Sequence, residues 1–458
     1  MLKDYRGLQK IFIPSMILFS ICMNLGFIKY NDVITIVSIF GLTGLSLIGI
    51  WRYCKTCSSD ITRETYKWWL IGVFFVFFIF QTLICLYVPL NYYSDFIIVR
   101  EQAMHMARDY SLMPNFDVYF HSYPFQMDIV FIISALYSIL GSYTGVEIFT
   151  SQLVNVSAIL VAMTIYNITG NRRISVVWAI MFDVFSTFCL KTYMPYTANI
   201  GMIFPILMLY VYTLRINRIL RIILLALVVA VGYRVKMTTI IPFIAMVIFG
   251  TYTLLKDRDI KTAMVGIVSF LMFSISITMV HNSLLNKVGF VNDDRIEHSL
   301  SFYLAMGQNN ATGGQFSPEI AAMGDNIDFP SKEARDKYFL DIAKKNFCER
   351  SIIDHVKFFA AKIGFCWGET YIDHLYFCKW DKLLLILKHY TWYLAMTLMV
   401  IGTFFIRDKR YYMLQLGIWG AIAYLYLSEA GARYVLLYMP LVYVMAGWAI
   451  LEYKRLKQ

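Results

Sequence analysis

The chain has 458 residues, 59% of them hydrophobic, 17% aromatic and 16% charged, and its 41 Lys and Arg against 30 Asp and Glu leave a net charge of +11. Soluble domains carry about 25% charged and about 45–50% apolar residues, so a soluble enzyme, a secreted disulfide scaffold and a disordered chain are excluded. The basic excess has no soluble basic stripe to carry it, which argues against nucleic acid and for charges sorted to one side of a lipid bilayer.

An apolar run of about 20 residues crosses the hydrocarbon layer as a helix. Such runs, some slightly shorter, fall at 11–28, 33–51, 68–90, 126–141, 146–168, 174–190, 195–214, 219–233, 238–255, 262–281, 384–406, 411–427 and 433–451. The first lacks a small-residue cleavage site and reads as a permanent span. The expected fold is an all-α polytopic membrane protein with twelve or thirteen transmembrane helices and two large outer-face loops carrying amphipathic helices. Four regions follow: two spans and a cytoplasmic loop (1–67), a transmembrane module (68–281) with a first outer loop at 91–125, a large outer loop (282–383), and C-terminal spans with a basic tail (384–458).

Lys and Arg set the orientation. Lys3, Arg6 and Lys10, the loop with Arg52, Lys55, Arg63 and Lys67, Arg172–Arg173, Arg215–Arg218, Lys256–Lys261, Arg407–Arg410 and the tail Lys454, Arg455 and Lys457 read as cytoplasmic. That puts 91–125 and 282–383 outside, and the 14 acidic and 12 basic residues of the second loop nearly cancel. Two cytoplasmic ends need an even number of crossings, so 126–141 or a neighbour is expected to be re-entrant, interfacial or merged with the next run. Cys54-x-x-Cys57 lacks a second ligand pair for zinc, and Cys348, Cys366 and Cys378 form no even disulfide framework.

In the first outer loop, span 68–90 ends at Pro89-Leu90 and Asp95 follows at once. Residues 96–110 read as an amphipathic interfacial helix, with Phe96, Ile97, Met104 and Ala107 on its apolar side. A carboxylate there is partly desolvated and suited to act as a general base on a sugar or lipid hydroxyl; the competing role is that Ser94 or Asp95 caps the helix. The loop closes on His121-Ser122-Tyr123-Pro124-Phe125, where Pro124 suits a helix start. Asp117, His121 and Tyr123 share the boundary with Asp95 as acceptor- or sugar-binding candidates.

Basic residues form a second constellation. Arg234 and Lys236 interrupt the apolar stretch 219–255 on the outer side, and Arg433 precedes the last span in Glu429-Ala430-Gly431-Ala432-Arg433-Tyr434. An Arg fork binds phosphate in bidentate fashion, whereas snorkelling or pairing of Arg433 with Glu429 are the structural alternatives. Tyr434 and Lys191 complete the lipid-phosphate candidates. The stretch 306–319 is rich in Gly and Asn, including Asn309 and Asn310, and suits an irregular substrate-facing loop. Lys357 and Lys362 lie on an aromatic, basic helix near 357–371 that reads as membrane-surface. Asp183 is the one acid deep in a span.

This order of features resembles the GT-C superfamily of integral-membrane glycosyltransferases, in its protein-O-mannosyltransferase-like and aminoarabinose-transferase-like branch. The resemblance runs over most of 68–451. Ser94-Asp95 follows a span in the first outer loop, a helix with Ala103 and Ala107 comes next, and Tyr123-Pro124 opens the following span. Gln152-x-x-x-Asn155 lies in the next span, a Gly/Asn-rich stretch in a late outer loop, and Ala432-Arg433-Tyr434 with Pro440 at the last span. Relatives often carry a second acid before the proline element, where this chain has His121-Ser122-Tyr123-Pro124-Phe125.

The resemblance implies an enzyme that takes a sugar from a polyprenyl-phosphate donor in the bilayer and passes it, with inversion, to an acceptor of the cell envelope on the outer face of the cell membrane. Asp95 would be the catalytic base, and basic residues at the boundary would bind the departing phosphate. No cofactor is indicated; a divalent metal is compatible with the sequence but unsupported by any ligand motif. The competing classes are a polymerase or ligase using polyprenyl-diphosphate-linked glycans, a lipid-linked sugar transporter, which calls for broken helices and mid-membrane charge, and a scaffold for which Asp95 is dispensable.

Overall fold

The computed structural model describes residues 6–56, 60–88, 90, 92, 94–257, 260–291, 295–368 and 381–457. Pro89, Cys57, Cys378 and the end of the 357–371 stretch lie outside them. The described residues form an all-α polytopic membrane protein with no strand.

Each of the thirteen apolar runs is helical. The first three are α1 (Arg6–Tyr30), α2 (Val33–Thr56) and α3 (Arg63–Tyr87); the connection to the next apolar run carries α4 (Asp95–Asp109) and α5 (Asp117–Ser122). Then come α6 (Gln126–Leu140), α7 (Tyr143–Thr169), α8 (Arg172–Thr187), α9 (Thr197–Gly201), α10 (Ile203–Thr213), α11 (Arg218–Val235), α12 (Ile240–Asp257) and α13 (Ile260–Lys287). The second loop holds α14 (Leu300–Gly307), α15 (Pro318–Asn326), α16 (Lys332–Cys348) and α17 (Ile352–Ile363), and the chain ends in α18 (Asp381–Phe405), α19 (Lys409–Leu427) and α20 (Met439–Lys457).

Length divides these helices. Seven stretches are long and apolar enough to cross a membrane: 9–29, 33–55, 63–87, 143–169, 260–287, 382–405 and 432–456. The helices at 126–140, 197–213 and 237–250 are apolar but shorter. Helix α6, with 15 residues, spans about 22 Å against a hydrocarbon layer of about 30 Å. Among the described residues, seven of the expected twelve or thirteen crossings therefore have a helix of sufficient length and hydropathy.

Local chemistry sets the joints. Between α6 and α7, Gly141 adopts φ +71° and Ser142 accepts the Gly145 N–H. Between α7 and α8, Gly170 adopts φ +75° and Asn171 accepts the Ile174 N–H. A left-handed glycine followed at once by a side-chain N-cap reverses the chain in two residues. Asp60 accepts the N–H groups of Arg172 and Arg173, both at 3.0 Å, and so fixes the entry to α3 against the start of α8.

The last span is the centre of the bundle: 89% of the apolar window of 432–456 is buried, against none of that of 260–287. Helix α20 packs on α18, α7, α8 and α2, with Trp392, Tyr393, Trp178 and Tyr443 fully enclosed. Helix α13 lies at the periphery on α11. At the other side α1 meets the π-helical turn Gly364–Gly368 that follows α17. A Cβ on Gly26 would stand 2.1 Å from the Gly364 Cα, an approach open only to glycine. The second loop has its own small core of Phe302, Ala305, Met306, Ile320, Phe329 and Phe339.

Candidate functional site

Helix α4 is amphipathic as expected, but its buried face is Phe96, Val99, Gln102, Ala103 and Met106, with Ile97, Met104 and Ala107 only half-buried. That stripe packs on Phe120, Met127, Tyr196 and Ile200. The rotation of α4 is therefore fixed, and with it the direction of its first residue, Asp95. Ser94 stands at the N-cap with φ +50° and ψ −133° and makes no side-chain cap. Its carbonyl instead accepts the N–H groups of Ile97 and Ile98, and its hydroxyl donates to Asp95 Oδ1 at 3.1 Å. A positive φ at a residue with a Cβ costs about 1–3 kcal/mol and persists where surrounding contacts enforce it. Capping by the Ser94 or Asp95 side chain does not occur; Asp95 is turned toward the protein.

Its partners come from distant segments. Arg433 Nη2 lies 3.3 Å from Asp95 Oδ2, and the Tyr196 hydroxyl donates to the same oxygen at 3.2 Å. Gln126 Nε2 donates to Tyr196 at 2.7 Å, and Tyr119 is hydrogen-bonded to Tyr196 as well. Oδ2 thus has two donors, whereas Oδ1 has the Ser94 hydroxyl alone among the described residues. The side chains of Asp95 and Arg433 are 26% and 23% exposed, so the pair is reachable yet partly shielded from water. The guanidinium sits among the rings of Tyr434, Phe96 and Tyr196 at 5.2, 5.9 and 5.9 Å, which orient it.

Lys236, at the C-cap of α11, brings Nζ to 5.4 Å from the Tyr434 ring. Burial pulls its ammonium down to about 8 and the nearby Arg433 adds to this, while Glu429 and Asp95 pull the other way. Glu429 is hydrogen-bonded to Tyr434; burial pushes its carboxyl up, against the pull of Arg433. Two carboxyls and two cations thus share one enclosure lined by tyrosines. Burial also raises the Tyr123 phenol, and the charges of Asp95, Asp325 and Glu429 add to the rise.

The remaining candidates are placed elsewhere. Arg234 does not join Lys236: its Nη1 is 3.5 Å from Asp128 Oδ2 and its Nη2 donates to Thr278 at 2.8 Å. His281 Nδ1 lies 2.7 Å from the other Asp128 oxygen. His121 points to the Val291 carbonyl at 3.0 Å, with its ring on Phe290. Asp117 opens α5 and Lys191 lies in the 3-10 turn Leu190–Tyr193; their side chains are outside the described residues.

The Gly/Asn-rich stretch is a buttress and not an open loop. Asn309 Oδ1 accepts from the N–H groups of Ala311 and Thr312, and its amide donates to Ser317. Asn310 accepts from Arg350 Nε at 2.6 Å and donates to the Asn346 carbonyl. Lys357 is surface-exposed beside Asp354, whereas Lys362 is buried. Asn155 bonds Gln152 and the Phe74 carbonyl, joining α7 to α3. Asp183 is fully enclosed in α8, and neither carboxyl oxygen has a hydrogen-bond partner.

The sequence reading missed Tyr196, Tyr119 and Gln126, and took Glu429 only as a neighbour of Arg433. Among the described residues no group of three or more His, Cys, Asp or Glu side chains is placed to hold a metal ion.

No curated protein matches the chain, and no solved structure does. The model of a family described as conserved hypothetical integral membrane protein matches residues 6–365, a stretch that includes Asp95, Lys236 and Lys362 and ends before Arg433. By that match, which covers well over half of its length, the chain belongs to this family of integral membrane proteins.

Proposed function

We propose that the chain is a membrane glycosyltransferase that moves a sugar from a polyprenyl-phosphate-linked donor to a cell-envelope acceptor on the outer face of the membrane. The observation that carries this reading is the meeting of Asp95 with Arg433 and Lys236, three residues from separate segments, in one partly shielded enclosure. A carboxylate beside cations at the rim of a bundle is what transfer from a lipid phosphate requires: positioning of two reactants, a proton acceptor and positive charge where phosphate departs.

The acceptor hydroxyl oxygen forms a bond to the anomeric carbon while its proton passes to Asp95 Oδ1. The bond from that carbon to the phosphate oxygen breaks, and polyprenyl phosphate leaves with the electron pair, its charge met by Arg433 and Lys236. Attack from the face opposite the leaving group inverts the anomeric centre. Tyr196 and Arg433 hold the carboxylate on Oδ2, and Oδ1, which accepts from the Ser94 hydroxyl, keeps a lone pair for the proton.

The test is reconstitution in vesicles with a radiolabelled polyprenyl-phosphate sugar and a cell-envelope extract as acceptor. Asp95→Asn is expected to lower transfer by about 10²–10⁴-fold, the usual worth of a general base, with melting behaviour unchanged. Full transfer by a well-folded Asp95→Asn protein would end this reading.

A further inference from the structure

The segment bearing Glu429 and Arg433 leaves α19 at Ser428 and reaches α20 through the 3-10 stretch Ala432–Tyr438. Its start is held by one ammonium. Lys362, on the inner side of amphipathic α17, is 2% exposed. Its Nζ donates to the carbonyls of Gly307 at 2.7 Å, Tyr426 at 2.9 Å and Ser428 at 2.7 Å. An ammonium has three N–H donors, so the cage uses all of them.

The surrounding sequence is built for this cage. A Cβ on Gly307 would lie 2.1 Å from the Ser428 carbonyl carbon, and Gly314, at φ +76°, would bring one to 2.7 Å from Lys362 Nζ. The Gly314 carbonyl accepts the Ala430 N–H at 2.7 Å. Gln308 Nε2 donates to the carbonyls of Tyr426 and Leu427, and Arg350 in turn holds Gln308 through its carbonyl and its Oε1. This is why Asn309 and Asn310 are occupied with internal bonds: the Gly/Asn-rich stretch is one wall of the cage.

We infer that Lys362 is a positioning residue, a tethered cation in a cage of three carbonyls that sets where the Glu429–Arg433 segment stands. Its consequence for transfer rests on the reading given under Proposed function; its effect on the segment does not.

The groups facing Lys362 are Cys366 from the π-helical turn, Arg350 ahead of α17, Glu429 after α19 and the Phe358 ring at 5.3 Å. Tyr426 of α19 is paired with His355 Nδ1 at 2.9 Å, and α1 brings Cys22, whose carbonyl lies against Gly364. Burial draws the ammonium down to about 7; Cys366 and Glu429 oppose this and Arg350 adds to it. As pH rises through about 7 the amine loses its charge and one of three donors, and charge-assisted bonds are about twice as strong as neutral ones.

The experiment is hydrogen exchange of the full chain in lipid nanodiscs from pH 6 to 9, corrected for intrinsic rates. In the unaltered protein, protection of a peptide spanning 427–434 is expected to fall about tenfold as pH rises through about 7, while that of the α20 interior stays constant. Lys362→Met, which carries no proton, is expected to show the low protection at every pH. A flat profile in the unaltered protein, or a Lys362→Met protein as protected as the parent, overturns the inference. If Lys362→Met fails to fold, the unaltered protein's pH series still decides. Loss of protection without any transfer activity would keep the cage and sink the glycosyltransferase reading; transfer with flat protection would do the reverse.

Discussion

Arg433 Nη2 lies 3.3 Å from Asp95 Oδ2 across 338 residues of sequence. One residue opens an amphipathic helix beside the bundle and the other opens the central span, so the contact ties the rim of the fold to its middle. The charge pair is held from both sides, by Tyr196 on the acid and by three rings on the guanidinium. Its geometry therefore makes specific demands on substitutions.

Tyr196→Phe removes one donor to a carboxylate, takes the acceptor from buried Gln126 Nε2, and keeps the ring in tilted contact with Phe96 at 4.6 Å. A hydrogen bond to a charged group is worth about 1.5–3 kcal/mol, so transfer is expected to drop about 10–100-fold, with a melting decrease corresponding to about 1–3 kcal/mol because the buried Gln126 amide loses its acceptor. Single-turnover rates with labelled donor measure this.

Arg433→Lys keeps the charge and loses the fork. The expected result is a higher apparent donor KM and a lower kcat together, because Nη2 alone donates to Asp95 and Tyr434, which leaves the rest of the guanidinium for the donor phosphate, and an ammonium offers neither that spare edge nor the planar fit among three rings. An unchanged donor dependence would remove Arg433 from the phosphate end of the site.

Lys236 titrates near 8, and its charge acts in opposite directions on binding and on folding. Donor affinity is expected to fall as pH rises through about 8, and Lys236→Met should lack that limb. Folding runs the other way. An ordinary lysine titrates near 10.4, so between about 8 and about 10.4 the unfolded chain binds more protons than the folded one and stability rises with pH. Donor titrations and denaturation midpoints, each taken from pH 7 to 10, measure the two effects separately.

Asp128→Asn leaves Arg234 and His281 without their shared acid. These three side chains pin the ends of α11 and α13 to the start of α6. A melting decrease corresponding to about 1–3 kcal/mol is expected from the loss of a partly buried charged hydrogen-bond set. Because Gln126 lies two residues away on α6, the variant should also weaken transfer by less than Tyr196→Phe does.

Gly26→Ala forces a methyl to within 2.1 Å of the Gly364 backbone. Backbone against backbone has no rotamer to yield, so the cost should lie at or above the usual range for overpacking, about 1–3 kcal/mol. Thermal aggregation in detergent is the readout, with Gly44→Ala, which meets nothing within 4 Å, as the control.

Much of this was legible in the sequence because hydropathy reports the bilayer directly. Every apolar run is helical, Asp95, Lys236 and Arg433 stand out by charge at a boundary, and Tyr434 by its place beside Arg433. The failures have physical causes. Arg234 and Lys236 are two residues apart on either side of a helix end, and only the fold shows that one faces Asp128 and the other the site. Gly- and Asn-rich sequence fits an open loop and a tight cage equally well; the buried Lys362 decides between them, and its burial is a tertiary fact. Tyr196 is one of 33 tyrosines with no motif around it, and its role comes wholly from the hydrogen bonds to Gln126 and Asp95.

The Gly26–Gly364 approach has a consequence for biosynthesis. Helix α1 is synthesised more than 300 residues ahead of Gly364, since about 333 positions separate Tyr30 from it, and the backbone that fills its glycine notch is made only after α17. Until then the notch faces lipid, or whatever assists insertion, with its glycine uncovered. Closing α1 onto the bundle must be a late event in the maturation of this chain, and a protein truncated before residue 364 would leave α1 without its dock.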